Sequence, residues 1–480
     1  MAGIKKNFGY NIILTGCNYI FPLIVFPYIS RVLGVPNIGI CDYVDSIIQY
    51  FILFSMLGVG SLGVREIARC KDDRERRSTV FSTLVTVNFA LTLISIGILV
   101  FCTNRIDKFY PYKPYLYIGI LKLLFQVFLV DWFFQGLQEF KYVTIRSVLV
   151  RSVYVLSIFV FVHSKDDTQL YYLLTCSVTF FNSVCNWLYS RKFCRFSLRK
   201  VSISSFFIPI LVFGYYRILT SLYTTFNTFF LGFIQGDTQV GYFSTASKMN
   251  VLIMAVFTAL TTVLVPKVAQ LVEEKDKKQL VYIADKTFSL ISVVSIPIIV
   301  FCFVFAPEII MLFAGPGFEG AIVPFRIIIF LILIIGLEQI VIQQFLMASL
   351  DMKSIIIVST VGAVVGLSFN FILTPRIASV GSAIAWGCSE FSVLLTGGLL
   401  LYKKMGIKIP MNELSVNLLL GLLYFIPLLS VKYIIDYSVV ALIIGLILTF
   451  VVFILNNIII HRNELLTSSL KGVMNKLTLR

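Results

Sequence analysis

Long apolar runs recur along the chain from residue 10 to residue 460, each closed by a short polar or charged stretch. A helix rises 1.5 Å per residue, so about 20 apolar residues cross a hydrocarbon core about 30 Å thick. A window of about 19 residues yields fourteen spans, near 10–32, 38–62, 80–102, 115–136, 143–162, 168–190, 206–233, 241–265, 287–314, 322–349, 354–374, 379–402, 413–433 and 437–460. They are numbered 1 to 14 in that order. A β-barrel would show segments of about ten residues with alternating polarity. The pattern predicts an all-α polytopic membrane protein.

The pattern also repeats. A shift of 202 residues lays Gly34 and Gly39 on Gly236 and Gly241, Leu62 on Leu264 and Arg65 on Lys267. Further along, a shift of 212 lays Phe133, Gly136, Glu139 and Lys141 on Phe345, Ala348, Asp351 and Lys353. Each unit holds six spans, an even number, so both units point the same way, as in transporters built from parallel repeats. The expected organisation is an N-terminal six-helix lobe over 1–195 and a second over 205–405, with a cleft between them. Two extra helices and a tail follow over 410–480.

Charge orients this framework. With the N-terminus inside, the inner segments hold 28 Lys and Arg and the outer loops 8. That bias predicts both termini in the cytoplasm. Lys5 and Lys6 before an apolar run resemble the start of a signal peptide, but no small-residue cleavage site follows Ile20-Phe21-Pro22. The run is read as a retained first span. The net charge of +16 therefore marks topology and contact with anionic membrane lipids, and nucleic acid is not an expected partner. Nine cysteines lie scattered without CxxC spacing and the chain has two histidines, so neither a metal site nor a cofactor is expected.

Polar residues inside the spans fall into stripes. Span 1 carries Asn11, Thr15 and Asn18 on one helical face. Span 7 carries Arg217, Thr220, Ser221, Thr224 and Thr228, and span 2 carries Asp42, Asp45 and Gln49. Span 8 adds Ser244, Ser247 and Lys248. Gln126 of span 4 is the repeat mate of Glu338 in span 10, and Lys122, Arg151 and Glu390 add single charges. A charge facing lipid costs a few kcal/mol or more at the bilayer centre, so these residues are expected to face a wet cleft or one another. Asp42 and Asp45 lie at a depth similar to Arg31. They are expected to face the cleft or to pair with Arg31, either as a fixed link between spans 1 and 2 or as a gate.

Four stretches carry a family resemblance. They are Phe21-Pro22 with Phe26-Pro27-Tyr28-Ile29-Ser30-Arg31-Val32-Leu33-Gly34; Leu57-Gly58 with Gly63-Val64-Arg65-Glu66-Ile67-Ala68; Asp131-Trp132-Phe133-Phe134-Gln135-Gly136 with Phe140-Lys141-Tyr142; and Phe305-Ala306-Pro307-Glu308-Ile309-Ile310. Together they resemble the O-antigen and polysaccharide flippases of the multidrug/oligosaccharidyl-lipid/polysaccharide exporter superfamily. The resemblance implies movement of undecaprenyl-diphosphate-linked sugar units across the bacterial inner membrane, in concert with other polysaccharide assembly proteins. It implies a cavity lined by spans 1, 2, 7 and 8, and Gln138 departs from the family's more usual Glu.

Such a ligand needs a wet polar groove for its head while its isoprenoid tail stays in lipid, since diphosphate and hydroxyls lose water at large cost in hydrocarbon. Arg217 and Lys248 are the candidates for diphosphate. Asn11, Thr15, Asn18, Gln49, Thr220 and Thr224 are candidates for sugar contacts. Arg31, Asp42, Asp45 and Glu338 are candidates for gating or ion coupling. No covalent chemistry is required, so the chain is not expected to be an enzyme. Gly58-x-Gly60-x-x-Gly63 ends a membrane helix and does not follow a strand, which removes its dinucleotide-binding meaning. Two rivals remain: an exporter of cationic drugs on the same fold, and a membrane polysaccharide polymerase. The first would want an acidic cavity, the second a catalytic surface outside the membrane.

Overall fold

The computed structural model describes residues 2–70, 73–198, 201, 204–349, 351–435 and 438–456. Most of the expected tail lies outside them. Among the described residues all regular structure is helical. Ten helices are long and apolar enough to cross a membrane. Two of them, Ile13–Met56 and Met352–Met405, are double length. The first breaks at Gly34 and the second at Ile377 and Ala378, so each supplies two spans. Thr168–Ser190 and the shorter Val439–Leu455 complete the fourteen. Thr168–Ser190 is less apolar because it buries Asn182, Ser183 and Asn186 against its own bundle. The chain is a multi-pass membrane protein of two six-helix bundles around a central cavity, with spans 13 and 14 packed on span 9.

The repeat is visible in the backbone. Gly34 between spans 1 and 2 has φ 74° and ψ 174°. Its mate Gly236, between spans 7 and 8, has φ 82° and ψ −177°. Only glycine takes such angles without strain. Five residues on, the two bundles meet. A Cβ on Gly39 would stand 1.8 Å from the carbonyl oxygen of Asp237, and a Cβ on Gly241 would stand 2.5 Å from that of Val35. Val35 and Asp237 are themselves mates under the same shift, so the contact is reciprocal, as a two-fold relation between the bundles demands.

The opposite end of span 2 behaves differently. A Cβ on Gly58 would stand 2.4 Å from the carbonyl oxygen of Ile210, and Gly214 packs on Leu57. The repeat mates of Gly58 and Gly214 are Leu260 and Ile12, so the glycines of this contact between spans 2 and 7 are not repeated in spans 8 and 1. The second repeat offset also has a physical trace. Span 4 breaks its helix after Gln126 and resumes at Asp131, and the matching part of span 10 is wound as a π-helix over Ile340–Leu346.

Two of the sequence motifs form one structural knot. Trp132, Phe133 and Phe134 are buried, and a Cβ on Gly63 would stand 2.3 Å from the Trp132 ring. Gly136 packs against Ile67 in the same way. Asp131 then accepts from Arg146 at 2.9 Å and from Asn186 at 2.9 Å. Arg146 is buried inside the helix Phe140–Phe161 and also donates to Asn186 and Ser147. Gly58 and Gly63 thus serve helix packing.

Candidate functional site

Two adjoining chambers open between the bundles. The larger, about 650 Å³, is lined from span 1 by Asn18, from span 2 by Asp42, Asp45 and Gln49, and from span 8 by Ser244, Ser247 and Lys248. Spans 5 and 6 add Arg151, Tyr154, Tyr171 and Thr175. The smaller, about 340 Å³, lies toward the Gly58 end and holds Arg217, Thr220, Ser221, Thr224 and Gln126. Gln49 and Thr225 line both chambers, which makes them one polar groove.

The carboxylates of span 2 are both held by lysines. Lys248 Nζ donates to Asp42 at 2.7 and 3.0 Å, joining span 8 to span 2 across the bundles. Lys122 of span 4 holds Asp45 within the N-terminal bundle. The expected pairing of either aspartate with Arg31 is therefore corrected. Arg31 sits just before the Gly34 break, and its guanidinium turns outward to the end of the helix Ala306–Phe313. It donates to the carbonyls of Leu312 at 2.6 Å and of Met311 and Phe313 at 3.4 Å, besides that of Pro27. Those carbonyls end a helix, and although that of Met311 also accepts from Gly315 N–H at 3.0 Å, the helix end is a natural place for a cation to cap.

Arg217 has no ion-pair partner among the described residues and is exposed to the groove. Neither Glu338 nor Glu390 forms an ion pair with Arg217 among the described residues, and one carboxylate oxygen of Glu338 is buried without a hydrogen-bond partner. Glu390 accepts from Trp386 Nε1 at 2.8 Å, and neither glutamate is among the residues lining a chamber. Arg151 likewise has no ion-pair partner among the described residues. With both aspartates matched by lysines, the groove keeps two uncompensated positive charges.

The smaller candidates divide. Thr220 and Thr224 line the groove and donate to carbonyls of their own helix, which leaves hydroxyl lone pairs free to accept. Asn18 and Gln49 line it as well. Thr15 is half-buried and is not among the lining residues of either chamber. The side chain of Asn11 lies outside the described residues. Sequence reasoning set Arg151 aside and missed Tyr154, Tyr171 and Thr175. Tyr154 follows Arg151 by three residues, and Thr175 follows Tyr171 by four, which is helical same-face spacing in two otherwise apolar spans.

The chain matches two family models. One, described as polysaccharide biosynthesis protein, covers residues 4–272. The other, MatE, covers residues 214–372. A protein of Escherichia coli (strain K12) described as "Putative O-antigen transporter" is 22% identical over 395 residues, 81% of this chain and 94% of that protein. One of Shigella dysenteriae with the same description is 24% identical over 281 residues, 56% of this chain and 68% of that protein. Among solved structures, the lipid II flippase MurJ in an inward closed conformation superposes with a TM-score of 0.76 at 14% identity, covering 95% of this chain and all of that one. An inward-facing multidrug resistance MATE family transporter of the MOP superfamily superposes with a TM-score of 0.64 at 16% identity, covering 80% and 94%. At these identities the structural likeness bears on the fold.

Proposed function

The chain belongs to the polysaccharide biosynthesis protein family, and from that premise we propose that it flips undecaprenyl-diphosphate-linked oligosaccharide units across the bacterial inner membrane by alternating access. The relatives described as O-antigen transporters and the fold shared with a lipid II flippase support this reading. The single observation that carries it is the charge of the groove. Arg151 and Arg217 face it with no carboxylate of their own, and Lys248 is half exposed to it. Such a surface suits a polyanionic headgroup. It repels the cationic drugs of the rival reading, whose acidic requirement Asp42 and Asp45 do not meet while each is held by a lysine.

In this reading Arg217 takes the diphosphate through its planar fork of donors, with Lys248 as a second point of charge. Asn18, Gln49, Thr220 and Thr224 offer hydrogen bonds to sugar hydroxyls in place of water, so the head crosses without meeting hydrocarbon. The tail stays in lipid. Spans 1 and 8 border the larger chamber and lack the glycine contact that seals span 2 to span 7, which makes the seam between them the natural exit for an isoprenoid chain. The excess of Lys and Arg on one side supports both termini in the cytoplasm. The repeat supports lobes over 1–195 and 205–405, and rocking one against the other exposes the groove to each side in turn.

The test is surface polysaccharide in the source strain deleted for this gene. The chain is expected to restore it. Arg151→Ala with Arg217→Ala together are expected to fail at an unchanged level of membrane-inserted protein. Full restoration by that double variant, or efflux of a cationic dye by vesicles carrying the native chain, overturns the proposal.

A further inference from the structure

Of the ion pairs described, Asp42–Lys248 is the one that joins the two six-helix bundles. Its place is specific. Asp42 lies less than a turn from Gly39 and Lys248 two turns from Gly241, so the pair forms the wall of the larger chamber beside the reciprocal glycine contact. Helix packing does not call for it. The repeat mates of Asp42 and Lys248 are Ser244 and Ser46, which line the same chamber and donate to carbonyls of their own helices. Where the two-fold relation sets a pair of serines on one side of the axis, it sets a charged pair on the other.

The pair is also open. The Lys248 side chain is 37% exposed and that of Asp42 23%, and Lys248 Nζ stands 4.8 Å over the Phe26 ring. By contrast the Lys122 side chain, which holds Asp45 inside one bundle, is 12% exposed. An anion entering the chamber reaches the first lysine and not the second. A phosphate that draws Lys248 away leaves the Asp42 carboxylate facing it with like charge. Among the described residues, the other side-chain hydrogen bonds between the bundles at the Gly34/Gly236 end use neutral acceptors or a neutral donor. They are Arg31 on the carbonyls of Met311, Leu312 and Phe313, Lys108 on the carbonyl of Phe233 at 2.8 Å, and Tyr112 Oη donating to Asp237 at 2.7 Å. None of these lines the chambers except Phe313, so an anion in the groove acts on the ion pair first.

We infer that Asp42–Lys248 is an anion-operated latch: a diphosphate in the groove takes Lys248 from Asp42 and thereby releases the Gly34/Gly236 end to part. This rests on the diphosphate reading above and adds how ligand binding is converted into movement. Asp42 is a positioning residue in this scheme and does not touch the ligand productively. Its carboxylate keeps the empty transporter closed at that end and competes for the lysine.

The test uses the full chain with its nine cysteines replaced, in phosphatidylcholine nanodiscs, spin-labelled at Asp166→Cys and Arg376→Cys. Both positions are exposed at the Gly34/Gly236 end, one on each bundle. Farnesyl diphosphate is the probe and farnesol the neutral control; calorimetry reads binding and dipolar spectroscopy the distance. Farnesyl diphosphate is expected to lengthen the distance and farnesol to leave it. Asp42→Asn is expected to lengthen it without any probe and to bind farnesyl diphosphate about fivefold tighter, the scale of one partly exposed ion pair. The exchange Asp42→Lys with Lys248→Asp is expected to stay closed without probe, which separates the latch from a loss of folding, and an exchanged pair that stands open without probe overturns the latch. If farnesyl diphosphate does not bind the native chain, the functional reading falls and the latch with it. If it binds but the distance stays fixed, or if Asp42→Asn changes neither distance nor affinity, the latch alone is overturned.

Discussion

Arg146 and Arg217 are both arginines inside membrane spans, and their surroundings are opposites. Arg146 is 6% exposed and donates through its two terminal nitrogens to Asp131, Asn186 and Ser147, so its charge is paired within one bundle although its Nε has no partner. Arg217 faces the groove with hydroxyl groups beside it and no carboxylate. A charge in a membrane helix marks a functional site by default, and this comparison shows where the default fails. What matters is whether the fold has already used the donors. A guanidinium held by a carboxylate inside one bundle holds helices together, and one without a carboxylate that faces the groove waits for a ligand.

The largest effect separates the two at once. Arg146→Ala takes the counter-charge from Asp131, leaving it Asn186 as a donor, and removes the donor to Asn186 Oδ1 in a partly buried site, a loss of up to about 3 kcal/mol, the lower end for a broken buried pair. The expected outcome is little folded protein in the membrane, measured by detergent-solubilised monomer on size exclusion. Arg146→Met with Asp131→Leu, which removes the charges together, should recover part of it. Normal monomer yield from Arg146→Ala would break the comparison.

Arg217→Ala is the counterpart. No carboxylate is orphaned, so the protein should reach the membrane at the native level while surface polysaccharide falls tenfold or more. Arg217→Lys should keep part of the activity, because charge survives and the bidentate fork does not. A low yield of Arg217→Ala, rescued by removing Glu338 or Glu390, would turn Arg217 into a structural residue.

The sequence told these two arginines apart imperfectly, and the reasons are physical. Span count and repeat were legible because bilayer thickness and glycine backbone angles impose fixed periods; Gly34 and Gly236 announced a break that the structure places at both. The polar stripes of spans 2, 7 and 8 were legible because lipid excludes such residues, and the groove is built from them. Partnership was not legible. Spacing along one helix says nothing about which neighbouring helix supplies a counter-charge, so of the two alternatives for Asp42 and Asp45 the place in the cleft agrees with the chamber lining, while pairing with Arg31 gives way to Lys248 and Lys122. Arg146 was hidden for a further reason. It falls inside span 143–162, and a hydropathy window registers one charge among apolar residues without saying which side chains surround it.

Arg151 tests the middle of the comparison. It lines the larger chamber from span 5, half-buried, with Tyr154 on the same face. Arg151→Ala should leave the protein folded and lower transport several-fold, less than Arg217→Ala, since the diphosphate is assigned to Arg217. An effect on monomer yield as large as that of Arg146→Ala would move Arg151 to the structural side.

Arg31 should show the smallest effect, and it sharpens the comparison most. It resembles Arg146 in having its terminal nitrogens hydrogen-bonded to the protein and Arg217 in having no carboxylate. Its partners are the carbonyls of Met311, Leu312 and Phe313 at an exposed helix end. Removing it leaves neutral acceptors that water can satisfy, so the cost is that of surface hydrogen bonds, about 1 kcal/mol. Arg31→Ala should therefore express and fold normally. Had Arg31 held Asp42 or Asp45, the same change would bury an unpaired carboxylate and lose the fold. The expected residue of the effect lies in movement, because Arg31 joins span 1 of one bundle to the end of the helix Ala306–Phe313 in the other. Labels at positions 166 and 376 should show a modestly longer distance, and Arg31→Lys should restore most of the closure, since a single ammonium still reaches the Leu312 carbonyl. Loss of folded Arg31→Ala, with recovery when Asp42 and Asp45 are neutralised, would return the aspartates to Arg31 and remove the carbonyl cap from the mechanism.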